Sequence, residues 1–139
     1  MISKKTIYGL QAAILLAKRY NSAPVLITDL AHEGHIPKKF LEAILLELRK
    51  NGILNSKKGK GGGYFLGKDP RDINVGDIIR TLEGSFSEIY FEAESKETNE
   101  IKMIMKEVRD AMSNILDKTS LADIIERAYS GQNVLNYVI

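Results

Sequence analysis

Ile36-Pro37-Lys38-Lys39-Phe40-Leu41-Glu42-Ala43-Ile44-Leu45-Leu46-Glu47-Leu48-Arg49-Lys50-Asn51-Gly52-Ile53-Leu54-Asn55-Ser56-Lys57-Lys58-Gly59-Lys60-Gly61-Gly62-Gly63-Tyr64-Phe65-Leu66 contains two structural patterns in succession. The first is helical. Pro37 sits where proline is tolerated, in the first turn, and Phe40, Leu41, Ile44, Leu45 and Leu48 recur every three or four residues until Asn51-Gly52 closes the helix. Lys38, Lys39 and Glu42 lie opposite that apolar stripe. The second pattern is a hairpin: Ile53 to Lys57 and Tyr64 to Leu66 read as short strands, and the lysine- and glycine-rich run between them must turn. A narrow cationic tip results, able to enter a groove or grip phosphates. The same composition would also serve a turn and solubility alone.

Upstream, residues 3–20 place Ile7, Leu10, Ala13 or Ile14, and Ala17 on a buried first helix, with Ser3 as cap and Lys18-Arg19 in its last turn. Val25-Leu26-Ile27 reads as a small strand, and Thr28 caps a brief helix that Gly34 ends. Two helices thus meet across a short turn, which is helix-turn-helix spacing. Downstream, Ile73 to Ile79 opens a helix that ends near Glu83-Gly84, and residues 85–99 are acidic and irregular. Ile101, Ile104, Met105, Val108, Met112, Ile115 and Leu116 then form one stripe of a helix from Asn99 to Lys118, about 30 Å long. Such a stripe needs a partner surface, and a second copy across a two-fold axis is the simplest. Thr119-Ser120 caps a last helix, Leu121 to Ala128, ended by Gly131.

The net charge of +2 over 139 residues conceals an asymmetry. Residues 1–71 carry thirteen lysines and arginines against five acids, a balance of +8, and residues 72–139 carry seven against thirteen, a balance of −6. The first half is suited to a polyanion and the second to another task. The chain has no cysteine, which excludes disulfides, thiolate catalysis and cysteine-ligated metal. The longest apolar run, Ala12 to Ala17, is too short to span a bilayer, and the start does not read as a signal peptide, so a cytoplasmic protein is expected.

Other chemistries find little support. Gly59-Lys60-Gly61-Gly62-Gly63-Tyr64 lacks both the last glycine of a dinucleotide fingerprint and the Gly-Lys-Ser/Thr of a phosphate loop. His32 and His35 stand three apart with no third ligand, and read as polar turn residues rather than a metal site. No catalytic residue can be nominated, so the chain is not expected to be an enzyme, and no cofactor is expected.

The runs Ile36 to Glu42, Leu48 to Leu54 and Ser56 to Leu66, with Tyr8-Gly9-Leu10, Ile73 to Gly84 and Thr119-Ser120-Leu121-Ala122-Asp123, resemble the Rrf-two family of winged-helix regulators. The resemblance implies a homodimer on a partly palindromic operator, with recognition helices in successive major grooves and wings reaching minor grooves. Family members often carry arginine where this chain has Lys58, and Ala43 stands where the iron–sulfur regulator has glutamine. Members that hold a cluster place cysteines between the helix ending near Gly84 and the long dimer helix. Here Ser85 to Glu100 offers only Glu88, Glu92, Glu94, Glu97 and Glu100 as charged ligands, which suit a hard cation and cannot replace thiolates.

The expected fold is therefore mainly α (α+β), a winged helix-turn-helix over residues 1–71 followed by a linker helix, an effector or partner loop and dimerisation helices over 72–139. The candidate DNA-binding residues are Lys4, Lys5, Lys38, Lys39, Phe40, Glu42, Lys57, Lys58 and Lys60. The expected function is a cluster-free repressor acting on double-stranded DNA, its effector a small molecule or a protein if it has one. A winged-helix scaffold that binds protein instead of specific DNA is the alternative.

Overall fold

The computed structural model describes residues 2–84 and 98–138, the stretch 132–138 by its backbone alone. Among these residues six α-helices and one two-stranded antiparallel sheet follow in the order α1 (Lys4–Lys18), α2 (Ile27–Gly34), α3 (Lys38–Lys50), β1 (Leu54–Lys57), β2 (Gly63–Leu66), a 3-10 turn (Pro70–Asp72), α4 (Val75–Glu83), α5 (Asn99–Lys118) and α6 (Leu121–Val138). The class is the expected one, mainly α with a two-stranded wing.

The Ser3 hydroxyl accepts from the Thr6 N–H at 3.4 Å and starts α1. Its buried face is Thr6, Gly9, Ala12, Ala13, Leu16 and Ala17, whereas Ile7 is 49% exposed. Of the stripe expected through Ile7, Leu10, Ala13 or Ile14, and Ala17, the two alanines are buried, Leu10 and Ile14 pack at the margin of the core, and only Ile7 faces out. Apolar residues cover nearly the whole circumference of α1, so periodicity alone cannot phase it; the small side chains turn inward because α3 and α4 crowd that side. A Cβ on Gly9 would collide with Leu82 and press on Ile44.

Three further boundaries differ from the sequence reading. Ile27 begins α2, with Leu26 rather than Thr28 at the N-cap, and Val25 contributes a single bridge to Tyr64 instead of a strand. Val25 and Tyr64 exchange both backbone N–H···O bonds at 2.8 Å. Pro37 is the N-cap of α3, one residue before its first turn. At the far end α6 passes through Gly131, around which there is open space, and continues to Val138. One exposed helical glycine costs about 1 kcal/mol, too little to end a helix by itself.

The core gathers Leu16, Leu30, Leu41, Ile44, Leu45, Leu48 and Leu54 from the first half of the chain with Ile73, Ile78, Leu82 and Leu121 from the second. Leu121 is fully buried, and two backbone bonds hold it there: its N–H donates to the Ile73 carbonyl and the Val75 N–H to the Thr119 carbonyl, both at 2.9 Å. Reciprocal caps set the flanking helix starts. Asn74 and Asp77 form a capping box on α4; on α6 the Ser120 N–H donates to the Asp123 carboxylate while the Ser120 hydroxyl accepts from the Asp123 N–H, each at 3.0 Å.

Glu83, the last residue of α4, closes the start of α1. Its Oε1 accepts from the Ser3 N–H at 2.5 Å and from the buried Thr6 hydroxyl at 2.7 Å. The Ser3 side chain first, then the Ser3 N–H and the Thr6 hydroxyl, hold the Glu83 carboxyl below the ordinary glutamate range against its partial desolvation. A depressed folded pKa adds stability that is complete above the unfolded value and lost as pH falls through the folded one. Glu83→Gln should therefore cost about 1 kcal/mol near neutral pH, the difference from the parent shrinking to nothing in acid. Urea unfolding at several pH values checks this; a deficit that persists in acid would mean that packing, not charge, is what Glu83 supplies.

Candidate nucleic-acid interface

The turn between α2 and α3 is closed by His35, which takes a left-handed conformation at φ 51. Histidine tolerates that region better than most residues, which suits it to the turn. The Ile36 N–H returns to the Ala31 carbonyl at 3.0 Å and the Ile36 side chain is buried, so α3 leaves the turn at a set angle. Leu41, Ile44, Leu45 and Leu48 face the core. Phe40 does not join them: it is 62% exposed, so the core stripe starts one residue later than the periodicity suggested. Lys38, Lys39, Glu42, Ala43, Leu46, Arg49 and Lys50 are also exposed. The first turn of α3 contains no acid and its N-cap makes no side-chain bond, which leaves backbone N–H groups and the positive end of the helix dipole beside Lys38 and Lys39.

In the wing Leu54 pairs with Leu66 and Lys57 with Gly63, leaving Lys58 to Gly62 as the turn. Gly59, Gly61 and Gly63 have φ of 85, 76 and 143. A side chain on Gly62 would strike the Lys57 carbonyl, and one on Gly63 the Val25 carbonyl. The glycines thus serve backbone geometry, and Lys57, Lys58 and Lys60 stand exposed around them.

Ion pairs sort the cations. Lys5 Nζ lies 3.0 Å from Glu47 of α3, Arg71 Nη2 2.9 Å from Asp69, and Arg19 is paired with Glu33. The Arg71 guanidinium bonds to Asp69 and lowers its pKa to about 2. Among the described residues no ion pair takes Lys4, Lys38, Lys39, Arg49, Lys50, Lys57, Lys58 or Lys60. Lys5 is therefore committed to joining α1 to α3. Arg49 and Lys50 were not singled out from sequence, although helical spacing puts Lys50 on the side of Lys39, Ala43 and Leu46.

The long helix α5 buries no residue of its own among the described ones. Ile101, Ile104, Val108 and Ile115 are 45%, 47%, 42% and 62% exposed. Met112 and Leu116 pack within the chain against Val75 and Ile79 of α4, and Met105 is half-buried. Met103, 58% exposed, sits on the opposite face and was not expected.

A polar cleft of about 300 Å³ opens between the end of α3 and α4, lined by Asn51, Lys68, Asp72, Asp77, Arg80 and Thr81. Several of its groups are engaged: Asp77 in the capping box, the Thr81 hydroxyl with the Asp77 carbonyl, and Arg80 with Asp117 of α5 at 2.5 Å. Among the described residues no group of three or more His, Cys, Asp or Glu could hold a metal ion, and no helix is long and apolar enough to cross a membrane. The acidic stretch with Glu88, Glu92, Glu94 and Glu97 lies outside the described residues.

A family model described as "Rrf2: Iron-dependent Transcriptional regulator" matches residues 2–127. The transcriptional regulator CymR of Bacillus subtilis is 37% identical over 123 residues, 88% of each chain. The structure of that protein, called the global cysteine regulator, superposes with a TM-score of 0.85 at 35% identity, over 91% of this chain and 97% of its own. IscR of T. potens superposes at 0.81, also 35% identical, over 95% of this chain and 90% of its own. These relatives are transcriptional regulators rather than enzymes. Iron held as a cluster on cysteine thiolates does not fit the donor set here, because the chain contains no cysteine. With the family model matched over nearly the whole chain and the winged helix-turn-helix in place, the chain belongs to the Rrf2 family of DNA-binding transcriptional regulators.

Proposed function

We propose that this chain is a cytoplasmic, cluster-free repressor that binds a partly palindromic operator as a homodimer. The observation that carries the reading is that recognition helix and wing both present cations that no acid among the described residues takes. Lys38, Lys39 and Glu42 at the start of α3 meet base edges and flanking phosphates in the major groove, with Phe40 beside them. Lys57, Lys58 and Lys60 grip phosphates or the minor groove. Lysine at position 58 keeps charge without the planar fork of arginine, so the wing contributes affinity more than sequence preference. Lys4 adds charge at the start of α1, and Lys5 acts by holding α3.

In this reading residues 1–71 make the DNA contacts and residues 72–139 supply the linking helix, an effector or partner segment, and dimerisation. The functional division is drawn across one continuous core. Ile101, Ile104, Met105, Val108 and Ile115 form the seam with the second copy, while Met112 and Leu116 brace its end against α4. Burying these five partly exposed side chains on both copies would contribute on the order of 10 kcal/mol gross, to set against the entropy of association.

Three measurements test the proposal. Lys58→Ala with Lys60→Ala should weaken operator and random duplex together and flatten the plot of log affinity against log salt, by up to about 3 or 4 in slope when both wings contact phosphate. An unchanged slope would remove the wing from the DNA interface and favour the scaffold reading. Val108→Asp should give monomer or insoluble protein by size-exclusion chromatography with light scattering; a soluble dimer would place the interface elsewhere. Protein purified without oxygen should be colourless, and oxidant should leave its DNA affinity unchanged. Stoichiometric iron with acid-labile sulfide would overturn the cluster-free assignment.

A further inference from the structure

The exposed side of α3 carries an apolar row that the phosphate contacts do not account for. Phe40 is 62% and Leu46 43% exposed, and Ala43 between them is exposed as well. Spaced by three residues, the three lie along one ridge of the helix. No side chain of the core covers them, and the nearby acid Glu47 is engaged by Lys5. Lys39 and Lys50 border the ridge on α3, with Glu42 the one exposed acid beside it, and the first turn of α3 is free of acids. Single exposed apolar side chains are ordinary, but a contiguous row of them on one helix marks a contact surface. Its cationic border calls for a polyanion that also presents apolar groups. In the major groove of duplex DNA the one such group is the 5-methyl of thymine.

We propose that Phe40, Ala43 and Leu46 are specificity residues that read thymine methyl groups. The inference rests on α3 being the recognition helix, as proposed above. The ridge from Phe40 to Leu46 is about 9 Å long at 1.5 Å per residue, against a base-pair rise of about 3.4 Å, so it covers about three base pairs. Each half-site then contains a short A·T-rich step whose thymine methyls, on either strand, face the ridge. Ala43 permits a close approach of the helix backbone to the bases, and Phe40 and Leu46 supply the larger surfaces on either side.

The test needs no variant at first. Duplexes selected by the full-length protein from a random pool are remade with deoxyuridine in place of thymidine, one position at a time in both half-sites, which removes only the methyl. Fluorescence anisotropy should show, at up to three adjacent positions, a loss of about fourfold per methyl and about fifteenfold for the symmetric pair. Phe40→Ala and Leu46→Ala lie outside the core and should fold, as circular dichroism would verify. Each should bind thymine and uracil duplexes alike at its own position, with the salt slope unchanged. Salt-dependent binding indifferent to uracil everywhere, a selected site with no thymine in that step, or a Phe40→Ala Leu46→Ala double variant that keeps the full thymine preference would overturn this inference alone. Failure to bind duplex DNA at all would overturn it together with the DNA-binding reading.

Discussion

Helix α1 can be crowded by its neighbours because the side it turns inward is nearly bare. Gly9, Ala12 and Ala13 leave room for Ile44 of α3 and Leu82 of α4 to reach its backbone, and a single methyl at Gly9 would push Leu82 away. Close helix contact at small residues is what sets the angle of α3, since α3 buries Leu41, Ile44, Leu45 and Leu48 into the same core. The face of α3 that looks outward is thus decided by the face of α1 that looks inward. The larger apolar residues of α1, Ile7, Leu10, Ile14 and Leu15, are left lining a groove of about 350 Å³ on its other side.

A second constraint operates at the wing. Its base is fastened by the paired bonds of Val25 and Tyr64, which bring the Val25 carbonyl so close to Gly63 that no side chain would fit there. Gly62 is held just as tightly by the Lys57 carbonyl. These requirements are internal to the protein and would apply to a hairpin with no ligand. They account for the glycines and leave the lysines unexplained, which is why the cationic residues, and not the Gly-Gly-Gly run, are the part of the motif that speaks for DNA.

Much of this was legible in the residues because their local signals agreed. Periodicity and length coincide from Asn99 to Lys118, and the helix spans those residues, with Thr98 capping it. The hairpin was marked by glycines at its turn and apolar ends. Where signals conflicted, tertiary packing decided. In α1 apolar side chains occupy most directions outside the line of Lys4, Gln11 and Lys18, so the choice of inward face depended on partners far along the chain. Phe40 fits a core stripe by spacing alone, yet four aliphatic residues already fill that side of α3. Of the candidate site, the identity of the exposed lysines could be read directly. The commitment of Lys5 to Glu47, 42 residues away, could not, because nothing local announces a long-range ion pair.

The charge asymmetry suggests two separable halves, but α4 argues for mechanical continuity between them. Its Ile78 and Leu82 belong to the core shared with α1 and α3, while Val75 and Ile79 pack with Met112 and Leu116 of α5. Gly76 has no side chain, and one there would collide with Asp117, so α5 approaches α4 closely enough for Arg80 to hold Asp117. At the other end Glu83 bonds the start of α1. A shift of α5 that carried Met112 and Leu116 with it would therefore press on Val75 and Ile79 of α4. Leu82 and Glu83 of that same helix touch α1, so α4 joins the two halves directly.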